Sequence, residues 1–472
     1  MRAALIALAL FAAACPPLSD DYEIVGTGGA GTGAAGSGFG GSDGGAASGG
    51  VGGAGGSSGS GAMAGSAGSG GDSGADASDA GCGVCNASCC SGACVDVLSD
   101  PSHCGACGSA CPKGRACNFG KCSSGWVAMS ATSFVPRDKT AHAWTGSRVF
   151  IFGGADATGT ALGDSALYDP MEAQQSGWTL VPAGSGAPSP RVLATALDLG
   201  GSVLVMGGGD AAGTADYADG AIFDPTSKTW QPVPDAPKAR RAPVMARKGE
   251  KVLLWGGWDS ANKPVAGTHV LDLGTKLWTT VSTEPSARSE FAWANSADEL
   301  YVYGGRVAGT TKSDEAHRAT VTTGVWSAAG KGPSGRFASF GAWDGTRFWV
   351  WGGRDDNNAK ADGAAYQGTW SALAITGAPA ARAAPQRHTG WSARVADQVV
   401  LLVGGMTATG TYFRNGGIYD ASAATPKWTG VGDWPSAEDH AWGAAVWTGQ
   451  ELVVWGGRTG AALTSKGVRF QP

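Results

Sequence analysis

Val149-Phe150-Ile151-Phe152-Gly153-Gly154 is a run of four apolar residues closed by two glycines, and the chain carries seven runs of this kind. The other six end in the glycine pairs Gly207-Gly208, Gly256-Gly257, Gly304-Gly305, Gly352-Gly353, Gly404-Gly405 and Gly456-Gly457. The second glycines of successive pairs stand 54, 49, 48, 48, 52 and 52 residues apart. A regular spacing of about fifty residues, with one strand-like run in each unit, predicts an array of β-rich repeats.

Each unit carries further residues in a fixed order around its glycine pair. A Pro-x-x-Arg motif or a variant precedes the run, and a Tyr-Asp-Pro motif or a variant follows it in most units. Six units close with a tryptophan, at Trp178, Trp230, Trp278, Trp326, Trp370 and Trp428. A strand that is apolar at consecutive positions is buried on both faces. A blade enclosed between two neighbouring blades requires such strands.

This order of four strands resembles the kelch repeat in all seven units, although the fourth and fifth lack the Tyr-Asp part. The resemblance implies an all-β, seven-bladed propeller over residues 126–472. The seventh unit ends at Val468-Arg469-Phe470 without a tryptophan, whereas Trp126 stands ahead of the first unit. We therefore predict that the strand containing Trp126 is the outer strand of the last blade and lies antiparallel to residues 467–471. Such a strand closes the ring and leaves no open end blade.

The composition divides the rest of the chain. Glycine crowds into residues 26–81, every cysteine lies at or before Cys122, and all 19 tryptophans lie at or after Trp126. The net charge of −5 is mild and no basic stripe occurs, so nucleic acid is not an expected partner. No run of 18 apolar residues occurs, so no transmembrane helix is predicted.

The first residues resemble an export signal. A positive start and the apolar run Ala3 to Ala14 predict a signal peptide over residues 1–14. Ala12-Ala13-Ala14-Cys15 resembles a bacterial lipobox, which implies a lipid on Cys15 and a lipoprotein N-terminus over residues 15–25; ordinary cleavage after Ala14 is the alternative. Residues 26–81 are almost entirely Gly, Ala and Ser, which predicts a disordered linker spanning about 40 Å. The expected location is the bacterial cell envelope, anchored in the outer membrane or extracellular.

Ten cysteines lie within residues 82–122, at Cys82, Cys85, Cys89, Cys90, Cys94, Cys104, Cys107, Cys111, Cys117 and Cys122. So short a segment has too few apolar residues for a core, and export favours disulfides, so five disulfides of unknown pairing are predicted. Zinc held by two Cys-x2-Cys pairs is the alternative. The segment from Cys89 to Gly108 resembles the plant stigma-specific cysteine-rich family, which implies a secreted extracellular module without catalysis.

Basic residues recur at the start of each unit. Because strands one and two of a unit are antiparallel, these residues and the loops after the glycine pairs share one face, the loop face. The candidate binding residues are Arg137, Arg191, Arg240, Arg288, Arg336, Arg387 and His440. A ring of cations would suit acidic sugars or carboxylates. The alternative is that they pair with loop acids, including Asp156, Asp210, Asp259 and Asp355, and fix the loops.

The chemistry of the loops favours recognition over catalysis. Trp258, Tyr217 and Tyr412 lie in loops after glycine pairs and are candidates for stacking on sugar rings; the alternative is that they pack the loops down. A kelch oxidase of the galactose oxidase type needs a Cys–Tyr cross-link beside copper, and no cysteine follows Cys122. No His-rich metal spacing occurs, so no metal or cofactor is predicted. We expect a monomeric surface protein that binds a protein or glycan and meets the membrane only through its lipid. A carbohydrate-acting enzyme of the sialic-acid mutarotase type is the alternative.

Overall fold

The structure is a computed structural model that describes residues 88–472 apart from 99, 101, 111–116, 119, 123–124, 176, 283, 308–310 and 385–389. The predicted signal peptide, Cys15 with the 15–25 segment, the 26–81 linker, Cys82, Cys85, Cys111 and Arg387 lie outside the described residues. The described chain divides into two compact units, residues 88–122 and residues 125–472.

Two short hairpins and two disulfides build the cysteine-rich unit. Ser88–Cys90 pairs antiparallel with Ala93–Val95, and Cys117–Asn118 pairs antiparallel with Lys121–Cys122. The disulfides Cys90–Cys107 and Cys104–Cys117 hold the first and second hairpins to the loop between them. With few apolar side chains available, these covalent links take the place of a core.

Cys89 and Cys94 are disulfide-bonded as well, so six of the ten predicted cysteines are shown to be oxidised. Cys104 and Cys107, which form the second Cys-x2-Cys pair, belong to two different disulfides. They are therefore not zinc ligands. The total of five disulfides stays a prediction, because part of the set lies outside the described residues.

Seven four-stranded antiparallel sheets form the blades of the second unit within the described residues. The first, innermost strands are Ala141–Trp144, Thr195–Asp198, Val244–Lys248, Ala292–Asn295, Phe340–Trp343, Gly390–Ala396 and Ala444–Trp447. The second strands, which end at the glycine pairs, are Val149–Phe152, Val203–Met206, Lys251–Trp255, Glu299–Tyr303, Phe348–Trp351, Val399–Gly404 and Leu452–Trp455. First strands of neighbouring blades contact each other around the central axis.

The outer half of each blade completes the sheet. The third strands are Ser165–Tyr168, Gly220–Asp224, Thr268–Asp272, Glu315–Thr320, Gly363–Tyr366, Gly416–Asp420 and Gly467–Gln471. The fourth strands are Trp178–Val181, Thr229–Val233, Leu277–Val281, Trp326–Lys331, Trp370–Ala372, Lys427–Val431 and, for blade 7, Gly125–Ala128. The remaining short elements are the strands Arg288–Ser289, Arg306–Val307, Thr311–Lys312, Arg458–Thr459 and Ala462–Leu463 and the 3-10 helix Pro170–Gln175.

The predicted closure of the ring is confirmed. Gly125–Ala128 pairs antiparallel with Gly467–Gln471, with Trp126 opposite Phe470. The indole N–H of Trp126 donates to the Gly432 carbonyl at 2.8 Å, and its ring lies 4.9 Å from the ring of Phe470. The first ordered strand of the propeller is thus the outer strand of its last blade.

The hydrophobic core lies between the blades as seven separate clusters, one at each junction. The tryptophan of each outer strand packs into the junction with the preceding blade. Trp126 follows the same rule, because it packs between blades 6 and 7. Burial on both faces is what the consecutive apolar residues of the second strands predicted.

The glycine pairs fasten each blade to the next. Both glycines of every pair have positive φ, and a Cβ on Gly154 would lie 2.4 Å from the carbonyl oxygen of Asp138. Only glycine tolerates that conformation at that distance. The N–H of Gly154 donates to the Arg191 carbonyl of blade 2, and the N–H of Gly457 in blade 7 donates to the Arg137 carbonyl of blade 1. The motif is therefore an inter-blade fastener as well as a turn.

Candidate functional site

The arginines that the sequence suggested as a binding ring are buried. Arg137, Arg191, Arg240, Arg288 and Arg336 have at most 2% of their surface exposed. Each donates from its guanidinium to the carbonyl of the first glycine of its own blade, at 3.0–3.3 Å. Most also pair with a carboxylate of the loop before the third strand. The alternative raised by the sequence, in which these cations fix the loops, agrees with this arrangement, but the acids they pair with are Asp164, Asp219 and Asp362 and not those the sequence suggested.

The last two members of the predicted ring complete this picture. Arg382 is 1% exposed and donates to the Gly404 carbonyl at 2.9 Å, so it fills in blade 6 the place that the sequence assigned to Arg387. His440 is fully buried and bonds the Gly456 carbonyl through Nδ1 at 2.9 Å. Burial lowers its pKa, against a smaller opposing effect of the Gly456 carbonyl. These side chains hold the loop face together and present no charge to a ligand.

The loop acids are also structural. Asp156 accepts hydrogen bonds from the backbone N–H groups of Thr158 and Thr160, both at 2.9 Å. Asp210 holds its own loop in the same way through Thr214 and Ala215, which helps to lower its pKa to about 2. Such bonds pin each loop on the rigid blade beneath it.

A ring of backbone hydrogen bonds surrounds the axis just inside the buried arginines. Each participating residue stands two positions after the arginine or histidine of its blade. The bonds, donor N–H first, are Lys139 to the Trp442 carbonyl, Leu193 to Lys139, Ala242 to Leu193, Ala338 to Glu290 and Ala384 to Ala338, at 2.8–3.0 Å. These residues therefore mark the centre of the loop face.

Charged and aromatic side chains gather at this centre, and we call them the axial cluster. Its members are Asp138, Lys139, Arg241, Glu290, Arg306, Phe337, Arg354, Trp442 and Arg458. They occupy three repeated positions: the two residues after the buried arginine and the residue after the glycine pair. The first and third of these positions pair across each blade, as Phe337 does with Arg354.

Ion pairs organise the axial cluster. Nε of Arg458 lies 2.7 Å from Oδ2 of Asp138, which joins blade 7 to blade 1. Nε of Arg306 lies 2.9 Å from Oε1 of Glu290. Arg241 pairs through Nε with Asp216 at 2.7 Å. In the first two pairs the carboxylate is the buried partner: the side chains of Asp138 and Glu290 are 0% and 4% exposed, against 30% and 24% for their arginines.

Aromatic rings support the cations. The guanidinium of Arg306 lies 3.8 Å from the centre of the Phe337 ring, and that of Arg354 lies 5.6 Å from the same ring. Nζ of Lys139 lies 5.5 Å from the Trp442 ring. Burial is the largest cause of the lowered pKa of Lys139, opposed by the nearby Asp138 carboxylate. Burial likewise raises the pKa of Asp138.

The loop aromatics do not form the predicted sugar platform. Trp258 is 2% exposed and packs with Val192, Leu193 and Ala242 near the axis, so it packs its loop down and is not available to stack on a sugar ring. The ring of Tyr217 lies 4.5 Å from the buried guanidinium of Arg191. Tyr412 is half-buried and forms a β-bridge with Met406.

Sequence reasoning missed the axial cluster because it looked for residues that recur in the repeats and not for positions that differ between them. A glycine pair such as Gly352-Gly353 recurs in every blade, with a buried arginine such as Arg336 before it in six blades and His440 in the seventh, because every blade needs the same fastening. The position directly after the buried arginine varies from Asp138 to Arg241 to Phe337 around the ring. Aligning the seven units and asking which positions differ is the signal that would have found the cluster.

Two observations limit which binding or catalytic chemistry the described residues can perform away from the central axis. A shallow pocket lies between blades 3 and 4, lined by Glu284, Pro285, His317, Trp326, Ser327 and Ala328. The Glu284 carboxylate accepts hydrogen bonds from the Gly267 N–H at 2.8 and 2.9 Å, so it serves the loop. In the part of the chain that the structure describes, no three His, Cys, Asp or Glu side chains are placed to hold a metal ion. No helix among those residues is long and apolar enough to cross a membrane.

Comparison with known families shows which of them share the sequence pattern of this architecture. The KLHDC2/KLHL20/DRC7 Kelch-repeats domain matches residues 118–305 and 249–432, which together span about two thirds of the chain. The chain therefore belongs to the kelch-repeat family. The Stigma-specific STIG1-like protein family matches residues 74–125, which include the cysteine-rich unit.

Two individual proteins are similar to parts of the chain. The flagellar outer arm dynein alpha chain of Chlamydomonas reinhardtii is 35% identical over 104 residues, which is 21% of this chain. This chain spans 2% of the length of that relative. A solved structure described as "Structure of YjhT" aligns with 64% of this chain and 99% of its own, at 18% identity and a TM-score of 0.48.

Proposed function

We propose that the propeller is a non-catalytic binding domain whose axial cluster recognises acidic groups on a partner protein. The observation that carries this proposal is the unequal burial of the axial ion pairs. The side chains of Asp138 and Glu290 are almost fully buried, whereas those of Arg458 and Arg306 are 30% and 24% exposed. A partner therefore meets the cationic side of each pair, and Arg354 adds a further half-buried guanidinium. Guanidinium groups bind carboxylates with two parallel hydrogen bonds.

A protein partner is supported by the family, since kelch propellers commonly bind proteins. The scaffold also suits recognition: the loops are fixed by buried arginines and loop acids, so the axial side chains are held in place before a partner arrives. Preorganised contacts lose less entropy on binding. A glycan with carboxylate groups shares the same chemistry and is an outcome of the test below.

A carbohydrate-acting enzyme is the second candidate, and one observation favours it. Asp138 has a raised pKa and the adjacent Lys139 a lowered one, which brings an acid and a base together at the axis. The Asp138 side chain is 0% exposed and bonded to Arg458, so a substrate has no path to its carboxylate. Binding without catalysis therefore fits the geometry better. Anomer exchange of sialic acid, followed by NMR with and without the protein, tests the enzyme directly.

The binding proposal is tested with the full chain on an array of peptides of graded acidity, printed beside uronate and sialate glycans. We expect binding to rise with the number of carboxylates on the peptide and to weaken with added salt. The variant Arg354→Ser should lose at least tenfold in affinity. Arg148→Ser is the matched control, because Arg148 is a similarly exposed arginine in the hairpin on the opposite face. Equal binding by the two variants contradicts the proposal, and binding confined to the glycans changes the partner class.

We further propose that the protein is exported and anchored in the bacterial cell envelope through lipid on Cys15. The disulfides of the cysteine-rich unit support export, because such bonds persist in oxidising compartments. One acyl chain binds membranes only marginally, and firm anchoring needs more than one. The variant Cys15→Ser should move from the membrane to the soluble fraction and should fail to incorporate labelled palmitate. Unchanged partitioning of this variant contradicts the anchor.

A further inference from the structure

The junction between blades 7 and 1 contains buried polar side chains on the first strand of blade 1 that lack hydrogen-bond partners among the described residues. Thr140 and His142 are 1% and 2% exposed. Among the described residues, neither the Thr140 hydroxyl nor either ring nitrogen of His142 has a hydrogen-bond partner of good geometry. The Thr140 backbone carbonyl lies near enough to the ring to oppose, in part, the effect of burial on the His142 pKa. Above them, Oδ1 of the fully buried Asp138 is also without one within the described chain. Asp138, Thr140 and His142, which are every second residue along this stretch, thus each carry a polar atom without a hydrogen-bond partner among the described residues.

The side chains of Thr140 and His142 face blade 7. Ala141 and Ala143 on the same strand pack into the cluster shared with blade 2. Successive side chains of a strand point to opposite faces. Thr140 and His142 therefore project together toward the junction with blade 7, at the inner edge of the cluster that contains Ala444.

The equivalent positions of other blades show which side chains leave no polar atom without a partner at this place. In blade 2 they are Ala194 and Ala196, which pack in an apolar cluster. Where a hydroxyl occurs it has a partner: Ser339 donates to the Gly352 carbonyl at 3.2 Å and Ser392 to the Gly341 carbonyl at 2.8 Å. Unsatisfied polar atoms at these positions are therefore not a property of the fold.

The outer part of the same junction also contains a polar group without a hydrogen-bond partner among the described residues. Five outer-strand tryptophans donate their indole N–H to an acceptor near the preceding blade, at 2.8–3.0 Å. The indole N–H of Trp178, which packs into the 7–1 junction, has no acceptor among the described residues. In this junction the inner strand and the outer strand of blade 1 therefore both carry polar atoms without a hydrogen-bond partner among the described residues.

We propose that the inner part of the 7–1 junction is a binding site for ordered water, which bridges Thr140 and His142. A buried polar group without a partner costs about 1–3 kcal/mol, and native proteins avoid that cost by enclosing water. Burial lowers the pKa of His142 to about 4, so at neutral pH its ring offers one donor and one acceptor. Water accepts from the donor and donates to the acceptor, and the Thr140 hydroxyl supplies a third partner.

The site lies directly beneath the axial cluster. Asp138 uses Oδ2 to hold Arg458 of blade 7, while its Oδ1 has no hydrogen-bond partner in the described chain. The bound water therefore supports the same blade-to-blade contact that positions the partly exposed side chain of Arg458.

A double-mutant cycle on the full chain tests the proposal, with Thr140→Ala and His142→Met as the two changes. Alanine and methionine stand at these positions in other blades, as Ala194 and Met245, so both are compatible with the fold. Each single change removes one partner of the water and should lower the melting temperature by a few degrees. The double variant should lose less than the sum, because no polar group is left to hydrate. Additive effects, or single variants that are more stable than the parent, overturn the proposal.

A crystal structure of the unaltered protein decides independently of how the variants fold. We expect a water peak within about 2.6–3.2 Å of Oγ1 of Thr140 and of one ring nitrogen of His142. Ser392→Ala is the matched control for the stability measurements, because that hydroxyl already has a protein acceptor. A junction without electron density between the two side chains, or a peak with the anomalous signal of a metal, contradicts bound water.

Discussion

A single buried arginine shows how strongly each blade depends on its loop face. The guanidinium of Arg336 donates to Gly352 at 3.1 Å and to the two carboxylate oxygens of Asp362 at 2.8 and 3.0 Å. Its Nε also donates to the Ser334 carbonyl at 2.9 Å. With 2% of the residue exposed, the guanidinium makes these hydrogen bonds to protein groups in place of water.

We expect Arg336→Ala to lower the free energy of unfolding by about 3 kcal/mol, near the lower end for breaking a buried pair because Asp362 is half-exposed. Arg354→Ala is the control and should cost less than about 1 kcal/mol, since Arg354 is half-buried and makes only long bonds to backbone carbonyls. Denaturant titration of both variants checks the difference. Equal losses would show that burial does not decide the role of these arginines.

Two buried histidines predict acid sensitivity. Burial lowers the pKa of His142 and of His269 from 6.5 to about 4, and Arg240 adds to the effect at His269. The unfolded chain therefore takes up a proton at higher pH than the folded chain, so stability is complete above about pH 6.5 and falls as the pH drops toward 4. The pKa difference corresponds to about 3 kcal/mol for each ring. Denaturant titrations between pH 7 and 4 measure the loss, and His142→Met should remove its share; a flat profile contradicts the prediction.

The arginine ring illustrates what spacing in a sequence leaves open. Regular recurrence of Arg137 to Arg336 correctly predicted that these residues share one face. Spacing does not reveal whether a side chain points outward or folds back beneath its loop, because that depends on the carbonyl of the first glycine and on acids such as Asp164. The axial cations depend on the same three-dimensional detail, since Arg458 and Asp138 are 320 residues apart.

At the scale of the strand, tryptophan placement follows one rule around the ring. Every outer-strand tryptophan packs into the preceding junction, and Trp126 does so for blade 7. The order of strands was predictable because periodicity and the missing seventh tryptophan are both visible in the sequence. The sixth blade is the exception: Arg382 stands 23 residues before Gly405 instead of 17, so counting back from the glycines selected Arg387.

Trp126→Ala should destabilise the propeller by about 3 kcal/mol, because a buried Trp→Ala change costs about 3–5 and Trp126 is only partly buried. Its indole also loses the bond to Gly432. Val127→Ala is the matched control on the same strand, since Val127 is 39% exposed and should change stability little. Thermal melts of the two variants compare them. If both melt like the parent, the closing strand contributes little to stability.

At the scale of the whole molecule, the two units rely on different forces. The propeller has no cysteine after residue 122, whereas the smaller unit is held by disulfides. Reduction should therefore unfold residues 88–122 and leave the melting temperature of the propeller unchanged. Tryptophan fluorescence reports on the propeller alone, because all 19 tryptophans lie at or after Trp126. A red shift of that fluorescence on reduction would contradict the independence of the units.

The mass change on reduction checks the cysteine-rich unit at the same time. Five disulfides among its ten cysteines should take up ten hydrogens, which intact mass spectrometry resolves. A smaller uptake with metal retained would restore a zinc site for the cysteines outside the described residues.

The position of the closing strand determines how the propeller bears tension. Cys122 stands three residues before Gly125, so the chain passes from the last cysteine almost directly into the strand that completes blade 7. A pull on the preceding chain reaches the propeller first at the backbone bonds between Gly125–Ala128 and Gly467–Gln471. If the far end is fixed to a membrane, those bonds bear the load of any captured partner. The strand that closes the ring is then also the first part of the propeller to detach under load.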